Sequence, residues 1–160
     1  MQIPELDSHE PYRGVVFHQE ELMPELADQK FVSDWILHIV KQESRLLQCL
    51  FFVFLDDQSL LKINKEYLQH DTLTDIITFP YSVDPIQAEI YISADRVRAN
   101  AKTYHISVHQ ELLRVLAHGV LHCCGWGDKS ESESRLMRKR EDACLALTAI
   151  YKPVSSPSPS

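Results

Sequence analysis

The sequence predicts an α+β fold, in which a small four-stranded mixed sheet (three parallel strands and one antiparallel) is covered by about five helices. Short apolar runs alternate with amphipathic segments of helical period through the first half of the chain, which is typical of strands joined by helical crossovers. Two further β-rich runs are separated only by SVDPIQ, which is short enough for a hairpin. The rest of the pattern is helical.

Nine elements are predicted, in the order β-α-β-α-β-β-α-α-α. They cover residues 14–18, 29–44, 46–55, 57–69, 74–81, 88–93, 94–105 and 108–124, and a last helix opens at residue 130. The first two connections between strands contain helices, which predicts right-handed parallel crossovers. The hairpin then makes the fourth strand antiparallel. The third element is a nearly continuous apolar run, which indicates a strand buried on both faces.

The helices are predicted from their caps and from apolar spacing. Ser93, Ser107 and Ser130 each precede a helical pattern, and the last two stand three residues before a Gln or a Glu, as in a capping box. Gly125 ends the fourth helix, where a left-handed residue is favourable. The side chains expected on the inner faces of the second and fifth helices are Leu61, Asn64 and Leu68, and Leu136, Ala143, Leu147 and Ile150, respectively.

The length of 160 residues fits one domain, predicted over residues 13–152, with a flexible N-terminus at 1–12 and a disordered Pro/Ser-rich tail at 153–160. No apolar run approaches the roughly 20 residues that span a bilayer. The first residues lack the basic and apolar regions of a secretory signal, so the cytoplasm is the expected compartment. The four cysteines are therefore expected as free, mostly buried thiols.

The net charge of −7 at first argues against a nucleic-acid partner. Its distribution weakens that argument, because residues 1–75 carry 6 basic and 14 acidic side chains, whereas residues 76–160 carry 10 and 9. The second half is thus balanced, which is compatible with a local basic surface.

The stretch LAHGVLHCCGWGDKS carries the residues on which the functional prediction depends. His118 and His122 are one helical turn apart and can direct both imidazoles at one point. The turn at Gly125 lets Asp128 fold back as a third ligand, as in the metzincin arrangement. Two imidazoles and a carboxylate suit Zn²⁺, with a fourth position left for water. Asp128 could instead cap the last helix, and histidines four apart also occur by chance.

Gly119 distinguishes this motif from that of the metalloproteases. In His-Glu-x-x-His enzymes the residue after the first histidine is the general base, but here that position has no side chain. A phosphodiester carries its own anionic oxygens, and RNA carries its own 2′-hydroxyl nucleophile. The missing carboxylate therefore argues against a protease and is compatible with a nuclease.

Three segments resemble a known family. Residues 118–129, HGVLHCCGWGDK, resemble the His-Gly-x-Leu-His-Leu-x-Gly-Tyr-Asp-His signature of the YbeY-type endoribonucleases. Residues 64–81 and 88–101 resemble two further family segments in the same order, so the likeness runs from about residue 50 to 145. It implies a metal-dependent hydrolase with one Zn²⁺ per chain that cleaves single-stranded RNA, acts on the 3′ end of 16S rRNA and takes part in ribosome quality control. The implied partners are precursor rRNA and the small ribosomal subunit with its assembly factors, without membrane or DNA.

Two positions depart from the family pattern. The third family histidine aligns with Asp128, and an anionic ligand is expected to make a weaker Lewis acid or to bind through water. The family arginine that follows the tyrosine is Leu68 here. The candidates for contacts with RNA are Arg96, Arg98, Lys102, Thr74 and Asp75.

Each of these assignments has a simpler alternative. The three basic residues could form a solvated helix face, and Thr74 and Asp75 could make strand-initiation hydrogen bonds. No catalytic side chain is assigned, because the reactive group is expected to be water on the metal held by His118 and His122. Besides the endoribonuclease, a non-catalytic zinc-binding ribosome assembly factor and a small metalloprotease remain open.

Overall fold

The computed structural model describes residues 14–68 and 74–149. The strands are β1 (Gly14–His18), β2 (Leu47–Leu55), β3 (Ile76–Val83) and β4 (Ile86–Ser93), and the helices are α1 (Gln29–Gln42), α2 (Asp57–Leu68), α3 (Ala94–Tyr104), α4 (Val108–Cys123) and α5 (Glu131–Ala146). This succession confirms the predicted fold class. The predicted flexible N-terminus and disordered tail lie outside the described residues, and the extent of the domain stays a prediction.

The sheet has the strand order β1-β2-β4-β3. β1 and β4 both pair in parallel with β2, and β3 pairs antiparallel with β4. Three parallel strands and one antiparallel strand are thus confirmed, but the expectation that the fourth strand is the antiparallel one was wrong. The helix α2 does not lead to a parallel neighbour of β2; it leads to β3, which runs against the other strands.

The difference in burial and residue type between the two hairpin strands explains this order. β4 is buried along most of its length and occupies an inner position, between β2 and β3. β3 contains Pro80, and both Tyr81 and Val83 are exposed. Proline cannot donate a hydrogen bond to a neighbouring strand and is therefore confined to edges. β3 accordingly lies at the edge of the sheet.

Both faces of the sheet are covered, by helical layers of unequal size. The larger core lies between the sheet and α1, α3 and α4, and includes Phe52 and Phe54 of β2. The smaller core lies under α2 and includes Val53 and Leu55. The prediction that β2 is buried on both faces is therefore confirmed. No helix in the described part of the chain is long and apolar enough to cross a bilayer.

The predicted caps are confirmed, but the inner faces of two helices were partly wrong. Ser93, Ser107 and Ser130 each accept a hydrogen bond from the backbone N–H three residues later, and Gly125 has a φ of 104°. The buried residues of α2 are Leu60, Ile63 and Asn64, and those of α5 are Met137, Glu141 and Cys144.

Three of the side chains that were expected to face inward do not do so. Leu68, Leu136 and Ala143 are exposed, whereas Leu61 and Leu147 are half-buried. Ile150 lies outside the described residues. On α5 the inner face contains the carboxylate of Glu141, which apolar spacing cannot reveal, because its partners lie on α4.

Candidate metal centre

The structure brings together the three side chains that the sequence predicted as metal ligands. His118 and His122 lie one turn apart on α4 with their ring centroids 4.6 Å apart. The Nε2 atoms of both rings are 3.3 Å from Oδ2 of Asp128. One possible ligand atom from each residue lies within 4.8 Å of the others. This cluster could hold a metal ion.

A sharp turn after α4 carries Asp128 back to the histidines. Gly125 adopts a positive φ, and the backbone N–H of Trp126 donates to the carbonyl of Leu121. The indole Nε1 of Trp126 donates to Oε2 of Glu43 at 2.9 Å, and the guanidinium of Arg140 lies 4.3 Å from the ring centroid. The turn is thus attached to the C-cap residue of α1 and to α5.

Asp128 does not provide the side-chain cap of α5. Ser130 occupies the cap position, and its hydroxyl accepts the backbone N–H of Glu133. Asp128 contributes only its backbone carbonyl there, as acceptor for the hydroxyl of Ser134. Its carboxylate is free of the capping role and faces the two imidazoles.

A buried carboxylate orients the first histidine. Nδ1 of His118 lies 2.8 Å from Oε2 of Glu141, a residue that is only 3% exposed. When Nδ1 donates its proton to this carboxylate, the lone pair of Nε2 is directed at Asp128. This is the tautomer that a metal ligand requires, and such a hydrogen bond also raises the basicity of the ligand.

Arg114, which like His118 lies on α4, supports the carboxylate of Glu141. Its guanidinium donates to Oε1 of Glu141 at 2.9 Å, and its Nε donates to the fully buried Glu111 at 2.8 Å. These hydrogen bonds raise the pKa of Arg114 although burial opposes this. Two buried carboxylates thus face one guanidinium, and the net negative charge beneath His118 favours a bound cation.

The protonation of His118 and Glu141 follows from the same contacts. Burial raises the pKa of Glu141, but hydrogen bonds and charge from His118 and Arg114 outweigh burial, so the pKa lies below its ordinary value. Burial lowers the pKa of His118, but the hydrogen bond and charge of Glu141, with the charges of Asp128 and Asp75, raise it overall. A proton and a metal ion therefore compete for the same imidazole.

The two distances from the histidines to Asp128 are compatible with a tetrahedral metal ion. Bonds of about 2.0 Å to a tetrahedral ion separate any two ligand atoms by about 3.3 Å, which matches both nitrogen–oxygen distances. Two imidazoles and one carboxylate leave a fourth position. Burial raises the pKa of the nearby Cys123 thiol to about 12, so this thiol is protonated in the metal-free chain. The described cysteines are free and mostly buried, as predicted.

The cluster opens into a cavity of about 840 Å³ between α2, α4 and β3. Thr74 and Asp75 border this cavity, as predicted for a cleft. The hydroxyl of Thr74 also donates to the carbonyl of Ile76 at 3.2 Å, which is the local hydrogen bond of the simpler alternative. Oδ2 of Asp75 lies 3.9 Å from the guanidinium of Arg114.

A family model described as endoribonuclease YbeY matches residues 16–149. The chain belongs to the YbeY endoribonuclease family. A relative from Flavobacterium johnsoniae, named endoribonuclease YbeY, is 45% identical over 123 residues, which cover 76% of this chain and 88% of the relative. Another with the same name, from Amoebophilus asiaticus, is 45% identical over 142 residues, which cover 88% and 97%.

The fold recurs in a solution structure of a Thermotoga maritima protein. That protein covers 91% of this chain and 99% of its own length, with a TM-score of 0.62 and 21% sequence identity. This likeness concerns the fold alone. The predicted family is thus confirmed by sequence comparison, and the predicted architecture has a counterpart among solved structures.

The departures from the YbeY pattern now have places in the structure. Leu68 lines the same cavity as the histidines, so the family arginine is missing at the cavity wall itself. Two cations that the sequence analysis did not single out, Arg114 and Lys129, line the cavity instead. Arg114 stands four residues before His118 on one helix face, and that spacing could have identified it. Nothing in the local sequence pointed to Glu141.

The three cations predicted to contact RNA lie on α3 and do not line this cavity. Nε of Arg96 lies 3.4 Å from Asp57, and Arg98 donates to the carbonyl of Leu22 at 2.8 Å. Lys102 is exposed. The structure therefore does not bring these residues together with the histidines, and their contact with RNA stays a prediction.

Proposed function

We propose that this chain is a metal-dependent, single-strand-specific endoribonuclease of the cytoplasm, which matures the 3′ end of 16S rRNA and takes part in ribosome quality control. The observation that carries the proposal is the convergence of His118, His122 and Asp128 at an open cavity, in a member of a family whose relatives are named endoribonucleases. The proposed partners are precursor rRNA and the small ribosomal subunit with its assembly factors.

In the proposed reaction the metal and the protein side chains make different contributions. A bound Zn²⁺ supplies a Lewis acid and lowers the pKa of water. Glu141 holds His118 in the tautomer that a ligand needs. The exposed ammonium of Lys129 at the cavity supplies positive charge for a phosphate. RNA brings its own 2′-hydroxyl as a nucleophile.

The surroundings of Gly119 argue against the metalloprotease alternative. A Cβ built at this position would lie 2.9 Å from Cδ1 of Ile76 and 3.2 Å from Cδ1 of Ile90. Position 119 therefore faces side chains of β3 and β4 that leave little space for a larger residue. A glutamate here would have to displace Ile76 and Ile90, so this position is unsuited to the general base of a peptidase.

Cleavage of single-stranded rRNA fragments tests the proposal. The zinc-loaded chain is expected to cleave a fragment that spans the 3′ end of precursor 16S rRNA, and to leave the same fragment intact when it is annealed to its complement. His118→Ala and His122→Ala should abolish cleavage and lower the bound zinc. His109→Ala is the matched control, because His109 is exposed on the same helix and does not line the cavity. Equal cleavage by wild type and His118→Ala would indicate a contaminant and refute the proposal.

A second candidate function is favoured by Leu68. Because this position lines the cavity without a positive charge, the chain would be a zinc-binding ribosome assembly factor without nuclease activity. That function predicts co-sedimentation with small-subunit precursors that persists in the double variant His118→Ala/His122→Ala. Loss of co-sedimentation together with loss of cleavage would favour the enzyme.

A further inference from the structure

A second cavity lies on the opposite face of the edge strand β3. It has a volume of about 310 Å³ and lies between α2 and the β3–β4 hairpin. Four aromatic rings and one cation line it: Tyr67, Phe79, Tyr81, Tyr91 and Lys62. We refer to these five residues as the aromatic platform. Neither the metal cluster nor the predicted RNA contacts include any of them.

The rings of the aromatic platform form a series of edge-on contacts from the core outward. Tyr91 is buried, and its hydroxyl donates to Glu89 at 2.7 Å. Phe79 packs edge-on against Tyr91 at 5.7 Å between centroids, and Tyr67 packs edge-on against Phe79 at 6.0 Å. The outermost side chains, Tyr67 and Tyr81, are 68% and 59% exposed. Two tyrosine rings are thus presented to solvent, and one of them is supported by a ring beneath it.

This surface suits an unpaired nucleobase. Nucleobases stack on aromatic side chains with a gain of about 1–3 kcal/mol per base, and a duplex cannot offer its bases in this way. The charged side chains here do not form a basic patch, because the exposed Lys62 is accompanied by the exposed Glu66 and by the half-buried Glu89 that accepts the hydroxyl of Tyr91. Binding should therefore depend on ring contact far more than on charge, unlike binding to a basic groove.

Residues of the aromatic platform are sequence neighbours of residues that line the metal cavity. Tyr67 is followed by Leu68, and Pro80 stands between Phe79 and Tyr81. Leu68 and Pro80 both line the metal cavity. Neighbouring residues of a strand point to opposite faces. Accordingly, Phe79 and Tyr81 of β3 line the platform, and Thr78 and Pro80 line the metal cavity.

From these contacts we infer that the aromatic platform is a base-stacking subsite for an unpaired nucleotide of single-stranded RNA, whose neighbouring phosphodiester occupies the metal cavity. The inference rests on the proposed function, since it assumes RNA as the substrate. It also gives single-strand specificity a physical basis, because only an unpaired base can enter the platform.

Equilibrium binding of a fluorescein-labelled single-stranded RNA to the full chain tests the subsite, with a chelator in the buffer so that the strand stays intact. Tyr67→Ala and Tyr81→Ala are each expected to weaken binding by about 5- to 150-fold, which corresponds to the loss of one stacked base. Tyr67→Phe and Tyr81→Phe keep the ring and should stay within about twofold of wild type. Tyr104→Ala is the matched control, because Tyr104 is a comparably exposed tyrosine on α3 outside the platform.

The outcomes separate this inference from the proposed function. Equal binding of single-stranded RNA by wild type and both alanine variants overturns the subsite, and so does the absence of binding by wild type. The subsite is also overturned if the alanine variants weaken the binding of duplex RNA as much as that of single-stranded RNA. Cleavage by the zinc-loaded wild type decides the proposed function independently of these results. If both proposals hold, the alanine substitutions raise KM for single-stranded RNA and leave kcat within about twofold.

Discussion

A methyl group at position 119 tests the close packing that holds α4 against the sheet. A Cβ there would approach Cδ1 of Ile76 to 2.9 Å, and both Cδ1 and Cγ2 of Ile90 to 3.2 Å. Favourable contacts between carbon atoms begin at about 3.5 Å. Gly119→Ala therefore requires both isoleucines, or the helix that carries the two histidines, to move by a few tenths of an ångström.

Two opposing effects determine the expected change in stability. In the interior of an exposed helix, replacing glycine by alanine raises the free energy of unfolding by roughly 1 kcal/mol. Overpacking of a core lowers it by about 1–3 kcal/mol. For Gly119→Ala we therefore expect a net loss of about 0–2 kcal/mol. In a chain of this length, each kcal/mol changes the melting temperature by about 2–4 °C.

Urea unfolding of a double-mutant cycle measures this effect. Ile76→Val removes the Cδ1 atom that makes the shortest contact, so Gly119→Ala should be better tolerated in the Ile76→Val background, by at least about 0.5 kcal/mol. Ile63→Val is the matched control, because Ile63 is a buried residue of α2 in the smaller core, on the other face of the sheet, and its effect should add to that of Gly119→Ala. If Gly119→Ala stabilises the chain by about 1 kcal/mol and both cycles are additive, position 119 is not closely packed.

Three further predictions concern the metal centre. Glu141→Gln removes the carboxylate that accepts the Nδ1 proton of His118, so zinc affinity, measured by competition with a chromophoric chelator, should fall by about 10- to 100-fold; an unchanged affinity would contradict the orienting role. Burial lowers the pKa of His118, but Glu141 outweighs burial and the pKa is raised. The protonated imidazole therefore stabilises the folded chain. This contribution is complete below about pH 6.5 and is lost as the pH rises through the folded-state pKa. The melting temperature of the metal-free chain should therefore fall over that interval while that of the zinc-loaded chain rises, because zinc requires the neutral imidazole; parallel slopes would argue against His118 as a ligand. Trp126→Ala removes both the hydrogen bond to Glu43 and the ring that packs against Arg140, whereas Trp126→Phe removes the hydrogen bond and keeps a ring, so the alanine variant should weaken zinc binding more; equal affinities in both variants would show that the ring does not hold the turn.

Features with local causes were predicted from the sequence. The helix caps at Ser93, Ser107 and Ser130 need only a hydroxyl and the N–H groups of the following turn. The shared direction of His118 and His122 follows from helical periodicity alone. The YbeY resemblance, confirmed by comparison with relatives, rests on such short segments. The assignment of the histidines as metal ligands stays a prediction until metal binding is measured.

The order of the strands could not be obtained in this way. Whether β3 or β4 pairs with β2 depends on which strand loses more by staying at the edge, and that comparison involves the whole sheet. Pro80 was a usable signal for the edge position of β3. The prediction of the inner face of α5 was wrong for a related reason, since Glu141 is buried by partners 23 and 27 residues away in the chain.

The sequence by itself determined the class of fold, the family and the shared direction of the two imidazoles. The reason is that apolar periodicity, short motifs and helical spacing can each be read from a few neighbouring residues. The tertiary structure alone showed that Glu141 and Arg114 support the imidazole of His118. It alone showed that Leu68 lines the cavity while the predicted RNA-contacting cations of α3 do not. It also showed that four aromatic rings meet on the other face of β3. These contacts join residues that are distant in the chain. Their formation depends on the packing of whole helices and strands, which no local pattern encodes.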